Sequence, residues 1–261
     1  MFSNNDSIGK TFFVVIALCL VCAIFVATSA VQLRPKQTEN KLLDAQKNIL
    51  VATGLLSGDN VKELFTKHIQ ERLVDMNTGE FVDMDPAKYD YRKAMKDAKL
   101  SDALVGADDP ASIKRRAKIA PVYLAYNDGV ESGKLSAIVL PVHGYGLWST
   151  LYGFIAIKGD LNTVVGFGFY QHGETPGLGG EVDNPKWKAL WAGKTLFDEQ
   201  GQLAVEIIKG SVDPQSAKAT HEVDGLAGAT LTSKGVNNLL HFWLGESGFG
   251  PLLANIKKGE A

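Results

Sequence analysis

Apolar residues form one uninterrupted run near the start of the chain, where residues 11–33 carry no charged side chain. In a helix that rises 1.5 Å per residue, about 20 apolar residues cross the hydrocarbon core of a membrane. The run therefore predicts an uncleaved anchor at residues 11–33, preceded by a short polar segment at residues 1–10. The alternative is a cleaved signal peptide ending near Thr28-Ser29-Ala30, but the apolar regions of signal peptides span only about 7–15 residues.

Apolar residues recur with helical spacing after the anchor. The pattern predicts one helix over residues 38–56, beginning after a break at Pro35, and a second amphipathic helix over residues 60–74. Residues 89–104 are weakly helical in pattern. We therefore expect a helical connecting region at residues 34–118.

The pattern changes near residue 120, where short runs rich in β-branched and aromatic residues alternate with turn signals such as Asn127-Asp128-Gly129. A helical pattern follows near the C-terminal end. Short strands closed by a helix indicate an α+β domain with a mostly antiparallel sheet, at residues 119–261. The predicted strands are residues 122–126, 136–142, 151–157 and 164–170.

Composition is that of a folded protein. The 261 residues are 45% hydrophobic and 21% charged, with a formal net charge of −2. This length allows a sizeable core, and the absence of a dense basic run argues against nucleic acid as a partner. The charge run Lys114-Arg115-Arg116 is interpreted as a solvated face.

The two cysteines, Cys19 and Cys22, both lie in the apolar run. Their C-x-x-C spacing is typical of redox or metal sites, whereas two small apolar helix residues are the simpler interpretation. The chain after the anchor has no cysteine, so we expect no disulfide framework and no zinc or iron–sulfur site there.

The strongest candidate for chemistry is the stretch of residues 224–233, where a Gly-rich turn precedes the last helical pattern. Free N–H groups at a helix start, together with the helix dipole, favour an anion. The pattern therefore indicates a place where a phosphate approaches the hydroxyl of Thr230. The alternative is an ordinary loop in which Thr232 or Ser233 caps the helix.

Two further Gly-rich loops, residues 143–149 and 173–181, adjoin predicted strands. Glycines permit close backbone approach, and Trp148 can stack on a flat ring. The alternative is two tight turns with a half-buried tryptophan. Glu174 and Glu181 are interpreted as solvent-exposed or capping residues, and the five histidines as structural or exposed. The sequence contains no P-loop, no hydrolase elbow and no zinc-protease helix motif.

The segment D-G-L-A-G-A-T-L-T resembles the flavinylation motif of the bacterial FMN-binding domain family. The resemblance implies that a dedicated flavin transferase joins FMN, through its phosphate, to Thr230. Ala227 stands where the family most often has Ser or Thr.

The segments H-G-Y-G-L-W, G-E-T-P-G-L-G-G-E and D-G-L-A-G-A-T are together similar to the FMN-binding subunits of sodium-pumping NADH:quinone oxidoreductase, and closest to the C subunits of that complex. The similarity extends over the N-terminal N-N-D-S, the anchor and a late G-F-G-P, hence almost the whole chain. It implies a covalent-FMN electron carrier that belongs to a respiratory translocase. The implied flavin contacts are Thr230, Asp224, Gly225, Gly228, Ala229, Trp148, Thr175, Leu178, Gly179 and Gly180, with no catalytic residue and no metal ligand.

The resemblance also implies a single-pass protein of the bacterial inner membrane, with its large domain in the periplasm and the other subunits of the complex as partners. A literal count of flanking charges, with Lys10 before the anchor and Arg34, Lys36 and Lys41 after it, places the domain in the cytoplasm instead. Long domains cross the membrane largely regardless of such charges. Two other functions remain open at this point: the G subunit of an Rnf complex, which serves ferredoxin and NAD, and a non-redox anchored domain for ligand binding or assembly.

Overall fold

The computed structural model describes residues 7–58 and 60–259. The chain divides into two compact units, Met1–Asp44 and Ala45–Ala261. The predicted polar segment and the N-N-D-S similarity lie mostly outside the described residues, as do the last two residues of the predicted 119–261 domain.

The first helix, α1, runs continuously over Ile8–Ala52. The predicted break at Pro35 is therefore wrong. Proline removes one N–H donor from the helical ladder, but its fixed φ is compatible with a helix, so a long helix can continue through it. α1 is long and apolar enough to cross a membrane, and none of its most apolar stretch is buried in the described structure.

The second predicted helix is only half correct. Helix α2 spans Val61–His68, and strand β1 follows at once over Ile69–Asp75. β1 pairs along its whole length with a later strand, β5 (Ile119–Ala125), and this pairing outweighs the helical pattern of its residues. A turn at Asn77-Thr78-Gly79 leads to strand β2, Phe81–Val82, so the region 34–118 also supplies strands.

The helix predicted over residues 89–104 is reduced to one turn, α3, Tyr91–Ala94. Strand β3, Ser101–Ala103, lies in the same stretch and pairs with β4, Arg115–Ala117. This two-stranded pairing is long-range in sequence, and a local helical pattern carries no information about it.

The solvated face predicted for residues 114–116 is also wrong in part. The Arg116 side chain is only 11% exposed; it pairs with Asp102 at 3.5 Å and donates a hydrogen bond to the Ser247 carbonyl at 2.7 Å. Arg115 donates to the Ser101 carbonyl at 2.7 Å. Both guanidinium groups therefore tie segments together.

A six-stranded, fully antiparallel sheet forms the centre of the second unit, in the order β2-β1-β5-β6-β7-β8. The four strands predicted after residue 120 are confirmed, and so is the α+β class. The remaining strands of this sheet are β5 Ile119–Ala125, β6 Ala137–Tyr145, β7 Thr150–Lys158 and β8 Val164–Gln171. The later elements are α4 Pro185–Ala189, the parallel pair β9 Glu206–Ile207 and β10 Glu222–Val223, α5 Thr230–Leu244 and α6 Gly250–Lys258.

Both faces of the sheet are covered. Alternate residues of β6, such as Ile138 and Leu140, join the main core with Leu239 of α5, while the neighbouring Val139 joins a second core with Leu50 of α1. β6 ends, β7 begins and β8 ends at one edge of the sheet. The two Gly-rich loops therefore start from the same end of the fold.

Candidate functional site

Helix α5 begins at Thr230, directly after the Gly-rich turn. Its N-cap is Ala229, which provides no side-chain hydrogen bond, so the interpretation of Thr232 or Ser233 as the cap is wrong. Gly228 has φ +71°, a left-handed conformation that glycine adopts without strain. Glycine is required at residue 225 because of close packing, since a Cβ there would collide with the carbonyl oxygen of Ile208.

The three hydroxyls near the helix start differ in what they contact. Thr232 is 0% exposed, and its Oγ1 donates to Glu174 Oε2 at 2.8 Å. Ser233 is buried, and its Oγ accepts the Leu226 N–H at 3.2 Å. Thr230 is exposed, and no hydrogen bond within the described residues engages its hydroxyl. Of the three, Thr230 alone is accessible for modification.

The first turn of α5 leaves backbone donors free. The first helical bond runs from the Ser233 N–H to the Ala229 carbonyl at 3.0 Å, and within residues 7–58 and 60–259 the N–H groups of Thr230, Leu231 and Thr232 find no acceptor. Thr232 is fully buried, but Thr230 and Leu231 are exposed, and with the dipole of a 15-residue helix behind them their N–H groups suit an anion. The Asp224 carboxylate instead accepts the Val212 N–H at 2.8 Å and fixes the preceding loop.

Glu174 is the polar centre beneath this surface, where it fulfils the capping alternative of the sequence interpretation. Its side chain is 5% exposed, so the solvent-exposed interpretation is wrong. Its Oε1 accepts the N–H groups of Trp148 at 3.0 Å, Ser149 at 3.1 Å and Leu147 at 3.2 Å. The glutamate therefore caps a hairpin loop, and its partners are backbone groups that leave no signature in the sequence.

Burial raises the pKa of Glu174, but hydrogen bonds from the Trp148 N–H, the Thr232 hydroxyl and the other loop amides outweigh this effect. The pKa consequently lies below its ordinary value. The carboxylate is ionised at neutral pH.

The loop of residues 173–181, which contains Glu174, lies against the first turn of α5 and against the Gly-rich turn before it. A Cβ on Gly179 would be 2.5 Å from Thr232 Oγ1, and one on Gly228 would be 3.0 Å from Leu178 Cδ2. Gly180 is held by its N–H, which donates to the Thr175 carbonyl at 2.9 Å. The structure thus brings this predicted loop next to the turn that precedes Thr230.

Apolar surface remains open around these loops. Trp148 is 67% exposed and Leu178 is 44% exposed, and Thr175 is exposed as well. The half-buried tryptophan of the alternative interpretation is therefore wrong. A flat aromatic ligand requires such accessible apolar surface, and an FMN fits the set of free helix amides plus exposed apolar side chains.

His143 is the first residue of the Gly-rich stretch 143–149 but is buried in the core. Its ring stacks on Tyr152 at a centroid distance of 5.5 Å and contacts Trp243 at 4.8 Å. Burial, with a smaller contribution from the positive charge of Arg92, lowers the pKa of His143 to about 3. A neutral, enclosed imidazole supports the structural interpretation.

Comparisons with known proteins agree with this geometry. The family described as "FMN-binding domain" matches residues 146–245, which contain the loop of residues 173–181, the stretch of residues 224–233 and the second half of the loop of residues 143–149. The chain is 64% identical to the C subunit of the Na(+)-translocating NADH-quinone reductase of Pseudomonas aeruginosa, over 99% of this chain and 100% of that protein. It is 52% identical to the Vibrio anguillarum protein of the same name, over 99% of each chain.

Solved structures are similar as well. The crystal structure of Shewanella oneidensis NqrC matches with a TM-score of 0.75 and 37% identity, over 82% of this chain and 97% of that chain. The C subunit of the Na(+)-translocating NADH-quinone reductase from Parabacteroides distasonis matches with a TM-score of 0.63 and 30% identity, over 85% and 96%.

Proposed function

The chain belongs to the family of C subunits of the Na(+)-translocating NADH-quinone reductase, and from this premise we propose that it carries FMN covalently on Thr230 as an electron-transfer subunit of that complex. The observation that carries the assignment is the contrast among the three hydroxyls. Thr230 is exposed beside free helix amides, whereas Thr232 and Ser233 are buried and hydrogen-bonded.

The groups that this proposal places at the phosphate and at the ring are different. The N–H groups at the start of α5 hold the phosphate, and the left-handed Gly228 lets the turn pass beside it without a side chain. Trp148 and Leu178 offer apolar contact to the ring. Bound FMN supplies the redox chemistry, and the chain itself binds, orients and tunes it.

Attachment replaces the proton of the Thr230 hydroxyl with the phosphoryl group of FMN. This substitution needs a donor whose phosphate carries a leaving group, and hence a dedicated flavin transferase as a maturation partner. An exposed hydroxyl on a loop-to-helix junction suits such an enzyme, because the acceptor has to enter a second protein's active site.

The remaining partners and the location follow from the family. We propose that α1 anchors the chain in the bacterial inner membrane by a single span, with the large domain in the periplasm beside the other subunits of the complex. The family membership favours this function over an Rnf-type carrier or a non-redox assembly domain.

Co-expression of the full chain with the flavin transferase tests the assignment. After denaturation, wild type, Thr230→Ser and Thr232→Ala should show flavin fluorescence on the protein band, because each retains a hydroxyl at residue 230. Thr230→Ala should show none. A fluorescent Thr230→Ala band would contradict the assignment, and a loss confined to Thr232→Ala would move the attachment two residues on.

A further inference from the structure

One buried carboxylate joins the three segments that surround the proposed flavin site. Glu174 lies in the loop of residues 173–181, accepts three successive amides of the β6–β7 hairpin, and accepts the hydroxyl of Thr232 in the first turn of α5. Ser149 reinforces this arrangement, since its Oγ donates to Glu174 Oε1 at 3.1 Å and accepts the Gly173 N–H at 2.7 Å.

The surrounding backbone is shaped around this carboxylate. A Cβ on Gly146 would lie 2.8 Å from Glu174 Oε1, and a Cβ on Gly179 would lie 2.8 Å from Oε2. Real Cβ atoms essentially never approach other heavy atoms so closely, so a side chain at either position would displace the carboxylate from the hydrogen bonds it accepts. Glycine at these two positions is therefore explained by Glu174, and not only by a ligand.

The hydrogen bonds also decide which groups remain for a ligand. The N–H groups of residues 147–149 are already satisfied by Glu174, so this hairpin can offer a ligand the Trp148 side chain but not these amides. The free amides lie at the start of α5 instead. Because Glu174 occupies the hairpin amides, the hairpin is left for apolar contact with a ligand, and the start of α5 is left for its phosphate.

We propose that Glu174 is a positioning residue for the flavin, one that acts through Trp148 and Thr232 without touching the cofactor. Its carboxylate holds the hairpin and the first turn of α5 at a fixed distance and orientation, and so fixes the position of Trp148 relative to Thr230. It also keeps a fixed negative charge beneath the site. The proposal rests on the proposed function, because the residues it positions are those assigned to FMN.

Two substitutions separate geometry from charge. In Glu174→Gln, the amide oxygen can still accept the hairpin N–H groups, while its NH2 group can donate to the Thr232 hydroxyl, so the shape is largely kept and the charge is lost. Glu174→Ala removes all of these bonds. Glu181→Gln is the matched control, since Glu181 belongs to the same loop but its carboxylate, within the described part of the chain, accepts from the Asn184 side chain at 2.7 Å and from no group of the hairpin or of α5.

The variants are expressed as full chains with the flavin transferase. The initial rate of covalent flavin incorporation and the midpoint potential of the attached flavin are measured per folded protein. We expect incorporation in Glu174→Ala to slow by at least about tenfold, because small misplacements of a reacting group reduce rates strongly. Glu174→Gln should retain more of the rate but shift the potential in the positive direction, because loss of a nearby negative charge favours reduction. Glu181→Gln should match wild type.

Wild-type rate and potential in the folded fraction of the Glu174 variants would overturn the proposal, because a residue needed only for folding changes the yield and not these properties. If Glu174→Ala does not fold, Glu174→Gln alone decides by the same criterion. Failure of the proposed function gives a different result, namely fluorescence that persists in Thr230→Ala or is missing from wild type.

Discussion

A buried imidazole in the core gives this protein a pH dependence that can be located at one residue. His143 is enclosed by aromatic rings, and Arg92 stands over the ring of Tyr152 with its guanidinium carbon 3.6 Å from the centroid. Protonation of His143 in the folded state would therefore bury a second positive charge near Arg92. The imidazole stays neutral, in accordance with a pKa of about 3.

We predict that folding stability decreases as the pH falls from 7 to 5. The pKa of His143 is about 3 when folded, against roughly 6.5 for an unperturbed histidine in the unfolded chain. Between these values only the unfolded chain binds the proton, so acidification favours unfolding by up to about 1.4 kcal/mol per pH unit. Urea unfolding of the Ala45–Ala261 fragment should show this slope. In His143→Phe, which keeps a ring but cannot titrate, the slope should be smaller; equal slopes in both proteins would contradict the prediction.

The roles of single residues differ in how well they can be predicted from the sequence. Thr230 was singled out because the local segment D-G-L-A-G-A-T resembles a flavinylation motif, and its role as the attachment site stays a prediction. Glu174 was not predictable, because its donors are backbone amides 25 to 27 residues earlier in the chain, and every residue type except proline has such an amide. The hydrogen bond that engages the Thr232 hydroxyl, and so distinguishes Thr232 from Thr230, likewise comes from Glu174, 58 residues earlier in the chain.

At the scale of elements, the site depends on how closely α5 packs against the end of β6. Gly235 lies in the middle of α5, where a Cβ would be 2.5 Å from the Tyr145 carbonyl oxygen and 3.0 Å from the Gly146 Cα. The helix can approach the hairpin this closely only without a side chain at that position. Gly235 therefore helps to set the distance between the two segments that Glu174 joins.

We predict that Gly235→Ala destabilises the protein. In an exposed helix, alanine is more favourable than glycine by about 1 kcal/mol. Here the added methyl group meets backbone atoms that cannot rotate away, and overpacking of this kind costs about 1–3 kcal/mol. Denaturant unfolding should show a net loss, together with slower flavin incorporation. The exposed neighbour Lys234→Ala is the control and should change stability by less than about 0.5 kcal/mol; a more stable Gly235→Ala would contradict the close packing.

Elements were predictable where the pattern was long or punctuated by turns. The strands after residue 120 were recognised from apolar runs between turn residues, to within a few residues at each end. The helices predicted over residues 60–74 and 89–104 were only partly correct, because each contains a short segment that pairs as a strand with a later part of the chain. β1 pairs with β5 over seven residues, and β3 pairs with β4 across a loop. Local periodicity cannot report such pairings.

For the whole molecule, the boundary between anchor and domain lies inside a continuous helix. The apolar part of α1 is exposed, whereas Ile49 and Leu50 near its end are fully buried in the second core with Val139 and Phe154 of the sheet. The side chains of α1 thus change from exposed to buried just after the division between Met1–Asp44 and Ala45–Ala261. Sequence patterning predicted the anchor, but not that the end of the same helix covers the sheet.

We predict that the stability of N-terminally truncated chains depends on whether the end of α1 is retained. Removal of residues 1–33 or 1–44 should give a soluble, folded protein, because neither deletion takes a side chain from the cores of Ala45–Ala261. Removal of residues 1–52 also removes Ile49 and Leu50. Burial of such side chains stabilises by about 1.5–3 kcal/mol each, so the loss is roughly 3–6 kcal/mol, a large share of the 5–15 kcal/mol typical of a domain.

Circular dichroism, thermal unfolding and size-exclusion chromatography of the three fragments measure this difference. The two longer fragments should unfold cooperatively as monodisperse proteins, and residues 53–261 should unfold at a markedly lower temperature or aggregate through the uncovered face of the sheet. As a matched control, Ile49→Ala in the Ala45–Ala261 fragment should lower stability by about 2–5 kcal/mol, whereas Val51→Ala, on the exposed side of the same turn, should have little effect. Equal stability of residues 53–261 and Ala45–Ala261 would show that the end of α1 is not part of the fold, and an unfolded Ala45–Ala261 fragment would show that the folded unit begins earlier in the helix.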